Sequence, residues 1–227
     1  MDFRSQLCAF VFLIVALPVP FACAQQSAPP PGSSSSVQHP RKTAPDANLH
    51  LDVGTVSNGA YRNPSFGFSC KVPEGWVLRT EEMNEGDDEQ AGREAGKSGR
   101  VLLAAFSRPP AARGGDVNSS ILIAAESTAE YPGLKEAAQY FGPVMEIAKA
   151  QGFAVAEEPY EFAIGAKTLV RGDFQKDVGS RVMRQSTLVI LARGYALSFT
   201  FIGGTEDEVE ELIAGLSFAA SAKPRPR

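Results

Sequence analysis

The 227-residue sequence predicts a single α+β domain, an antiparallel sheet of about six strands with helices packed on its faces. Three observations carry that prediction. Between Tyr61 and Trp76, Phe66, Phe68, Cys70 and Val72 fall on one face at period two while Gly67, Ser69 and Lys71 take the other, as in a half-buried strand. Two runs, Val101 to Phe106 and Ser120 to Ala125, are continuously apolar, as expected of strands covered on both faces. From Tyr160 to Phe201, four alternating segments are separated by glycines at turn positions, the pattern of an antiparallel meander. At 44% hydrophobic and 21% charged, the chain has the composition of one ordinary globular core. A formal charge of −4 argues against a nucleic-acid partner, whose phosphates call for a basic face.

Residues 1–24 read as a signal peptide. Arg4 precedes an apolar run from Leu7 to Leu17, Pro18 and Pro20 end any helix, and Ala22 and Ala24 are the small residues that place cleavage before Gln25. The run is too short for a membrane span, which takes about 20 apolar residues, and no later stretch reaches that length. The expected location is therefore periplasmic or secreted. Cys23 raises the alternative of a lipid anchor, but Pro20, Phe21 and Ala22 do not supply the aliphatic and small residues of a lipobox, so soluble release is expected. Residues 25–60, with Pro29-Pro30-Pro31-Gly32, a serine run and a mildly basic His39-Pro40-Arg41-Lys42 patch, read as a disordered tether.

The folded domain is expected over 61–219. After the first strand, Pro73-Glu74-Gly75 is a turn and Trp76 an aromatic anchor expected to pack on the sheet, followed by a short strand over Trp76 to Leu78. Glu81 to Gly99 is rich in Glu, Asp and Gly and reads as an exposed loop. Its Asp87, Asp88 and Glu89 lack the spacing of a calcium loop and are expected to be solvated. Gly133 to Gln151 reads as a helix kinked or broken at Gly142-Pro143. Thr205 and Glu208 form a capping box for a last helix, whose buried stripe is Val209, Leu212, Ile213 and Leu216. Residues 220–227, with Lys223, Arg225 and Arg227, make a basic tail expected to be solvated, with an acidic partner as the other reading.

Several of these residues also carry a resemblance. Tyr61-x-Asn63, the Gly67-Phe68-Ser69 strand, Pro73-x-Gly75-Trp76, Ile164-Gly165-Ala166-Lys167 leading to Arg171, Arg193-Gly194-Tyr195 and a short terminal helix ending in Leu216-Ser217-Phe218 are similar to the PsbP-like family. That fold is shared by the photosystem II extrinsic protein, a Ran-binding nuclear import factor and many secreted bacterial proteins. The resemblance covers about Tyr61 to Ala219 and implies an α+β fold and accessory or binding roles, without one activity.

Candidates for chemistry are few. The two histidines, His39 and His50, both fall in the tether, which leaves the domain without an imidazole for a general base or a zinc ligand. No nucleophile elbow, Walker loop or dinucleotide fingerprint is present. Glu157, Glu158, Asp173 and Asp177 are carboxylates that could do acid/base work, with nothing in the sequence placing two across a cleft. Cys70 lacks a second thiol in the domain and its register predicts burial. Arg171 and Arg184 sit inside strands, where each could bind an anion or contact a partner, or simply be paired. Asn118-Ser119-Ser120 matches a glycosylation sequon that matters only in a eukaryotic secretory route. The function expected is an exported, non-catalytic binding or assembly module for an envelope or secreted protein partner, with no cofactor. A small-ligand or metal-binding accessory protein is the alternative, and a carboxylate-based enzyme the third reading. An apolar pocket with Arg171 or Arg184 converging on it would favour a ligand, and an exposed apolar patch would favour a protein partner.

Overall fold

A computed structural model describes residues 51–91, 99–109, 112 and 116–219. Ala22, Cys23, Ala24 and Gln25, the tether up to His50 and the basic tail 220–227 lie outside the described residues. The strands are β1 (Thr55–Ser57), β2 (Ala60–Asn63), β3 (Phe68–Lys71), β4 (Val77–Leu78), β5 (Gly99–Phe106), β6 (Ser120–Ser127), β7 (Ala154–Ile164), β8 (Lys167–Val178), β9 (Arg181–Ala192), β10 (Tyr195–Gly203) and β11 (Leu216–Phe218). The helices are α1 (Thr80–Ala91), α2 (Ala137–Ala150) and α3 (Glu206–Ala214). The class is the expected one, α+β with antiparallel pairing throughout. The strands divide, however, into a seven-stranded sheet, β4-β5-β6-β10-β9-β8-β7, and a four-stranded sheet, β1-β2-β3-β11, rather than one sheet of about six.

The large sheet grows from the meander β7 to β10, whose turns are made by residues at positive φ: Gly165, Gly179 and the pair Arg193-Gly194. Alternation then sorts its side chains onto two faces. On one face α2 lays Tyr140, Phe141, Val144 and Ala148 against Phe174, Val189 and Ala196. Gly172 lies beneath Phe141, where a Cβ would come within 2.6 Å of the ring. Glu126, 3% exposed, accepts hydrogen bonds from the Tyr140 hydroxyl at 2.8 Å and the Tyr131 hydroxyl at 3.2 Å. Desolvation raises the pKa of this carboxyl against the lowering effect of both phenols. On the opposite face Phe199 of β10 receives Phe68 at 5.0 Å and Phe218 at 6.0 Å, both edge-on, so the small sheet packs on the large one through three aromatic rings. Beside it, α3 covers β9 and β10 with Val209, Leu212 and Ile213.

Several local expectations are corrected. α2 runs through Pro143 unbroken, beginning at Ala137 rather than Gly133; the reciprocal Glu136–Gln139 capping box secures its first turn, and Gly142 offers the ring no Cβ to crowd. Leu216 to Phe218 is strand β11, paired with β3, and not the end of a helix. Phe66 and Gly67 belong to the β2–β3 turn, with Gly67 at φ 68 and its N–H bonded to the Asn63 carbonyl at 2.9 Å, so the alternating strand starts at Phe68. Trp76 is half-buried and makes no place in the core. Residues 51 to 60, assigned to the tether by composition, carry β1 and the start of β2; Asn58 (φ 50) and Gly59 (φ 67) form the two-residue hairpin between them.

The acidic segment after Leu78 is helix α1 up to Ala91, not a loop. What holds it is not an apolar stripe. Beyond the two β4 residues, the edge of β5 would have open backbone groups, and α1 satisfies them with side chains. The Thr80 hydroxyl accepts the Ala104 N–H at 2.9 Å, while the Asn84 amide accepts from the Val101 N–H and donates to the Val101 carbonyl, both at 3.0 Å. Thr80 and Asn84 stand four residues apart, on one helical face.

Candidate functional site

Arg171 and Arg184 are brought to one place. Both project from the sheet face that carries α3 and line a polar groove of about 450 Å³ between α3 and strands β7 to β9. Strand register builds the groove, since Tyr160 of β7 lies opposite Arg171, Glu157 opposite Asp173, and Asp173 opposite Ser186 of β9.

Arg171 is not a free clamp. It is 6% exposed, its Nε donates to both Asp173 oxygens at 3.0 Å, and its outer nitrogen reaches Ser186 at 3.1 Å and Glu210 of α3 at 2.5 Å. The guanidinium also lies 5.0 Å from the Phe162 ring centre. Desolvation pulls its pKa down, but the bonds to Glu210 and Asp173 outweigh that and hold it raised. Asp173 is equally occupied, accepting from Arg171, from the Ser186 hydroxyl and from the Tyr160 hydroxyl at 3.2 Å. Burial, and then the Asp173 charge, push the Tyr160 phenol up to about 12, which keeps it a neutral donor. This cluster ties α3 to β8 and β9, and its lone pairs and protons are spent on itself.

Arg184 differs. It is half-exposed, has no hydrogen-bond or ion-pair partner among the described residues, and lines both this groove and an adjoining cavity of about 660 Å³. That second cavity holds Arg181 paired with Asp116 at 2.8 Å, and Glu208 bound to Ser119 and to the Gly204 N–H. Of the other carboxylates singled out from the sequence, Glu157, Glu158 and Asp177 are exposed, and Glu157 alone lines the groove, together with Asp173 and with Glu206 and Glu210 of α3. Cys70 is fully buried and desolvation pushes its thiol up to about 12, which leaves it unreactive. No group of three or more His, Cys, Asp or Glu among the described residues could hold a metal ion. No helix among them is long and apolar enough to cross a membrane.

A site that sequence reasoning missed lies at the other end of the large sheet. A cavity of about 520 Å³ opens where the outer strands of both sheets meet, between β1, β4, β5 and α1. Val53, Val56 and Leu78, at 42%, 40% and 43% exposed, are three of the four exposed large hydrophobic residues among the described ones, and all three line it. Its wall is built by the Tyr-x-Asn motif. The buried Tyr61 donates its hydroxyl to the Val53 carbonyl at 2.9 Å, and Asn63 donates to the Asp52 carbonyl at 2.8 Å. Asp52 in turn accepts from the Gly54 N–H and the Ser65 hydroxyl. These bonds latch residues 52–54 to β2 and hold Val53 and Val56 on the cavity rim. The acidic side opposite is the first turn of α1, which puts Glu81 and Glu82 in the lining; these two and Glu85 are exposed.

No family model matches this sequence, and no curated protein matches it. Solved structures overlap it at low identity. The solution structure of the cyanobacterial PsbP from Synechocystis matches at 15% identity and a TM-score of 0.42, over 77% of this chain and 98% of that one. The Ran-binding protein Mog1p from Saccharomyces cerevisiae matches at 14% identity and a TM-score of 0.37, over 72% and 96%. A structure from Bacteroides thetaiotaomicron matches at 14% identity and a TM-score of 0.37 over 74% of this chain, which spans 51% of that protein's length.

Proposed function

We propose that this chain is an exported, non-catalytic binding or assembly module whose ligand is a protein partner in the envelope or the secreted space. The observation that carries the reading is the exposed apolar cluster Val53, Val56 and Leu78 around a single cavity. Exposed apolar side chains are ordinary when scattered and point to a docking surface when gathered in one rimmed depression. Export rests on the Arg4 to Ala24 signal pattern. Against catalysis stands the state of the carboxylates: Asp173 is saturated by neighbours, and its groove partner Glu157 lies on an exposed edge strand. A small anionic ligand is the second reading, favoured by Arg184 alone, which has no partner among the described residues.

Photo-crosslinking in the producing cell tests the proposal. A crosslinker at Val56 should give a discrete protein adduct, and one at Val178, which is 44% exposed on β8, should not. No adduct at Val56, or the same diffuse adducts at both sites, would rule the docking surface out.

A further inference from the structure

We propose that the cavity between β1, β4 and α1 receives an extended, basic segment of the partner, which adds as a strand to the free edge of β1 and drops an apolar side chain between Val53, Val56 and Leu78. This rests on the binding-module reading and names the chemistry of its ligand.

Three observations converge on it. The first is an open edge: among the described residues β1 pairs only with β2, and all three of its residues are exposed. In a two-residue hairpin the residues flanking the turn exchange both backbone bonds, and here those are Ser57 and Ala60. The next pair, Val56 with Tyr61, is therefore non-bonded, so the N–H and C=O of Val56 point away from β2 to the open side. They are the donor and acceptor that an added strand engages. The second is the cavity itself, which offers an apolar seat beside that backbone.

The third is charge. α1 brings Glu81 and Glu82 to the rim, Glu82 shared with Arg79 at 3.4 Å and Glu81 without an ion pair among the described residues, and Glu85 is exposed one turn further along the helix. Arg100, also in the lining, is the one opposing cation there. The balance favours lysine or arginine flanking the apolar residue and repels an anionic membrane surface or an acidic peptide. A natural edge strand left open this way would ordinarily be blunted. β7, the long edge of the large sheet, shows the contrast: it carries Pro159, Glu157, Glu158 and Glu161 and its register is twice irregular.

The test uses the full chain and three fluorescent probes: a Lys-Leu-Lys-Val-Lys peptide, the same peptide N-methylated on the backbone of its central residues, and a Glu-Leu-Glu-Val-Glu peptide. The basic peptide should bind at least tenfold more tightly than either other probe. Val56→Asp should weaken it tenfold or more, and Glu81→Lys with Glu85→Lys about fivefold, with loss of its salt dependence. Because these positions are exposed, a melting curve checks that the variants fold. Equal binding of the N-methylated probe overturns strand addition, and equal or better binding of the acidic probe overturns the charge assignment. Failure of all three probes overturns the proposal outright, even where the Val56 crosslink still captures a partner and the binding-module reading stands. A Val56 adduct of twice the chain's own mass would likewise overturn it, since the occupant would be a second copy. Absence of any Val56 adduct removes the binding-module reading itself.

Discussion

The two ends of the large sheet treat their interactive groups in opposite ways. At the α3 end, Arg171 meets Asp173, Ser186 and Glu210 within hydrogen-bond distance, and the cluster is closed. At the β1–α1 end, three apolar side chains stand in water beside an open strand edge and exposed carboxylates. Charge inside a strand invites a functional reading, yet here the charges are the self-satisfied part and the bland aliphatics are the unsatisfied part. What marks a surface for a partner is not the reactivity of its residues but how much of their bonding and burial is left undone.

Breaking the closed end should therefore cost the most stability. Arg171→Ala leaves Asp173, whose side chain is 16% exposed, without its cation, and removal of one member of a buried pair costs about 3–5 kcal/mol. Chemical denaturation is the measurement, and a variant as stable as the wild type would mean the cluster is not closed. At the open end the vulnerable point is backbone rather than charge. Gly54 sits at φ +66, and a Cβ there would stand 2.5 Å from the Tyr61 hydroxyl oxygen and 2.6 Å from the Arg62 carbonyl oxygen. Gly54→Ala should cost about 1–3 kcal/mol through backbone strain and should detach the 52–54 latch, seen as faster amide exchange at Thr55 and Arg62, the bonded pair next to it.

A smaller effect separates the two faces of the sheet. Glu126, beneath α2 and faced by the Tyr131 and Tyr140 hydroxyls, has a folded pKa raised above its unfolded one. The folded state thus favours the protonated carboxyl. Its contribution is fully present below the ordinary glutamate pKa and is lost as pH rises through the folded value. Glu126→Gln keeps an oxygen that can accept both phenols and should flatten that decline. Unfolding free energies measured from acid to neutral pH, with an unchanged slope in the variant, would show that Glu126 titrates normally.

The contrast also explains what the sequence could reveal. The meander was legible because every strand alternates and each turn holds a residue suited to positive φ, and β5 and β6 were legible as apolar runs. Helix α1 was not, because it is tied down by two polar side chains, Thr80 and Asn84, whose partner strand lies seventeen or more residues on. Periodicity of apolar residues cannot register such a helix. The β1–β2 hairpin had a readable signal, Asn58-Gly59, that the proline- and serine-rich composition before it obscured. Arg171 was identifiable as a strand arginine, but Glu210, its partner 39 residues away, had no local mark. The docking cavity had none either, since it arises only where the outer strands of two sheets and a polar helix come together.

The smallest stability effect is the one that bears most on function. Val56→Asp places a carboxylate at a position already 40% exposed, so it removes little buried area and should shift stability by no more than about 0.5 kcal/mol. Arg184→Ala, at the other end, should be as mild, because the guanidinium has no partner among the described residues to abandon. The two neutral variants should nonetheless part company in the cell. With a crosslinker at Leu78, Arg184→Ala should keep the partner adduct, whereas Val56→Asp should lose it, since a charge in the apolar seat must be desolvated by whatever docks there. If Val56→Asp keeps the adduct and Arg184→Ala loses it, the partner is held by the Arg184 groove at the α3 end and not by the apolar seat at the β1–α1 end.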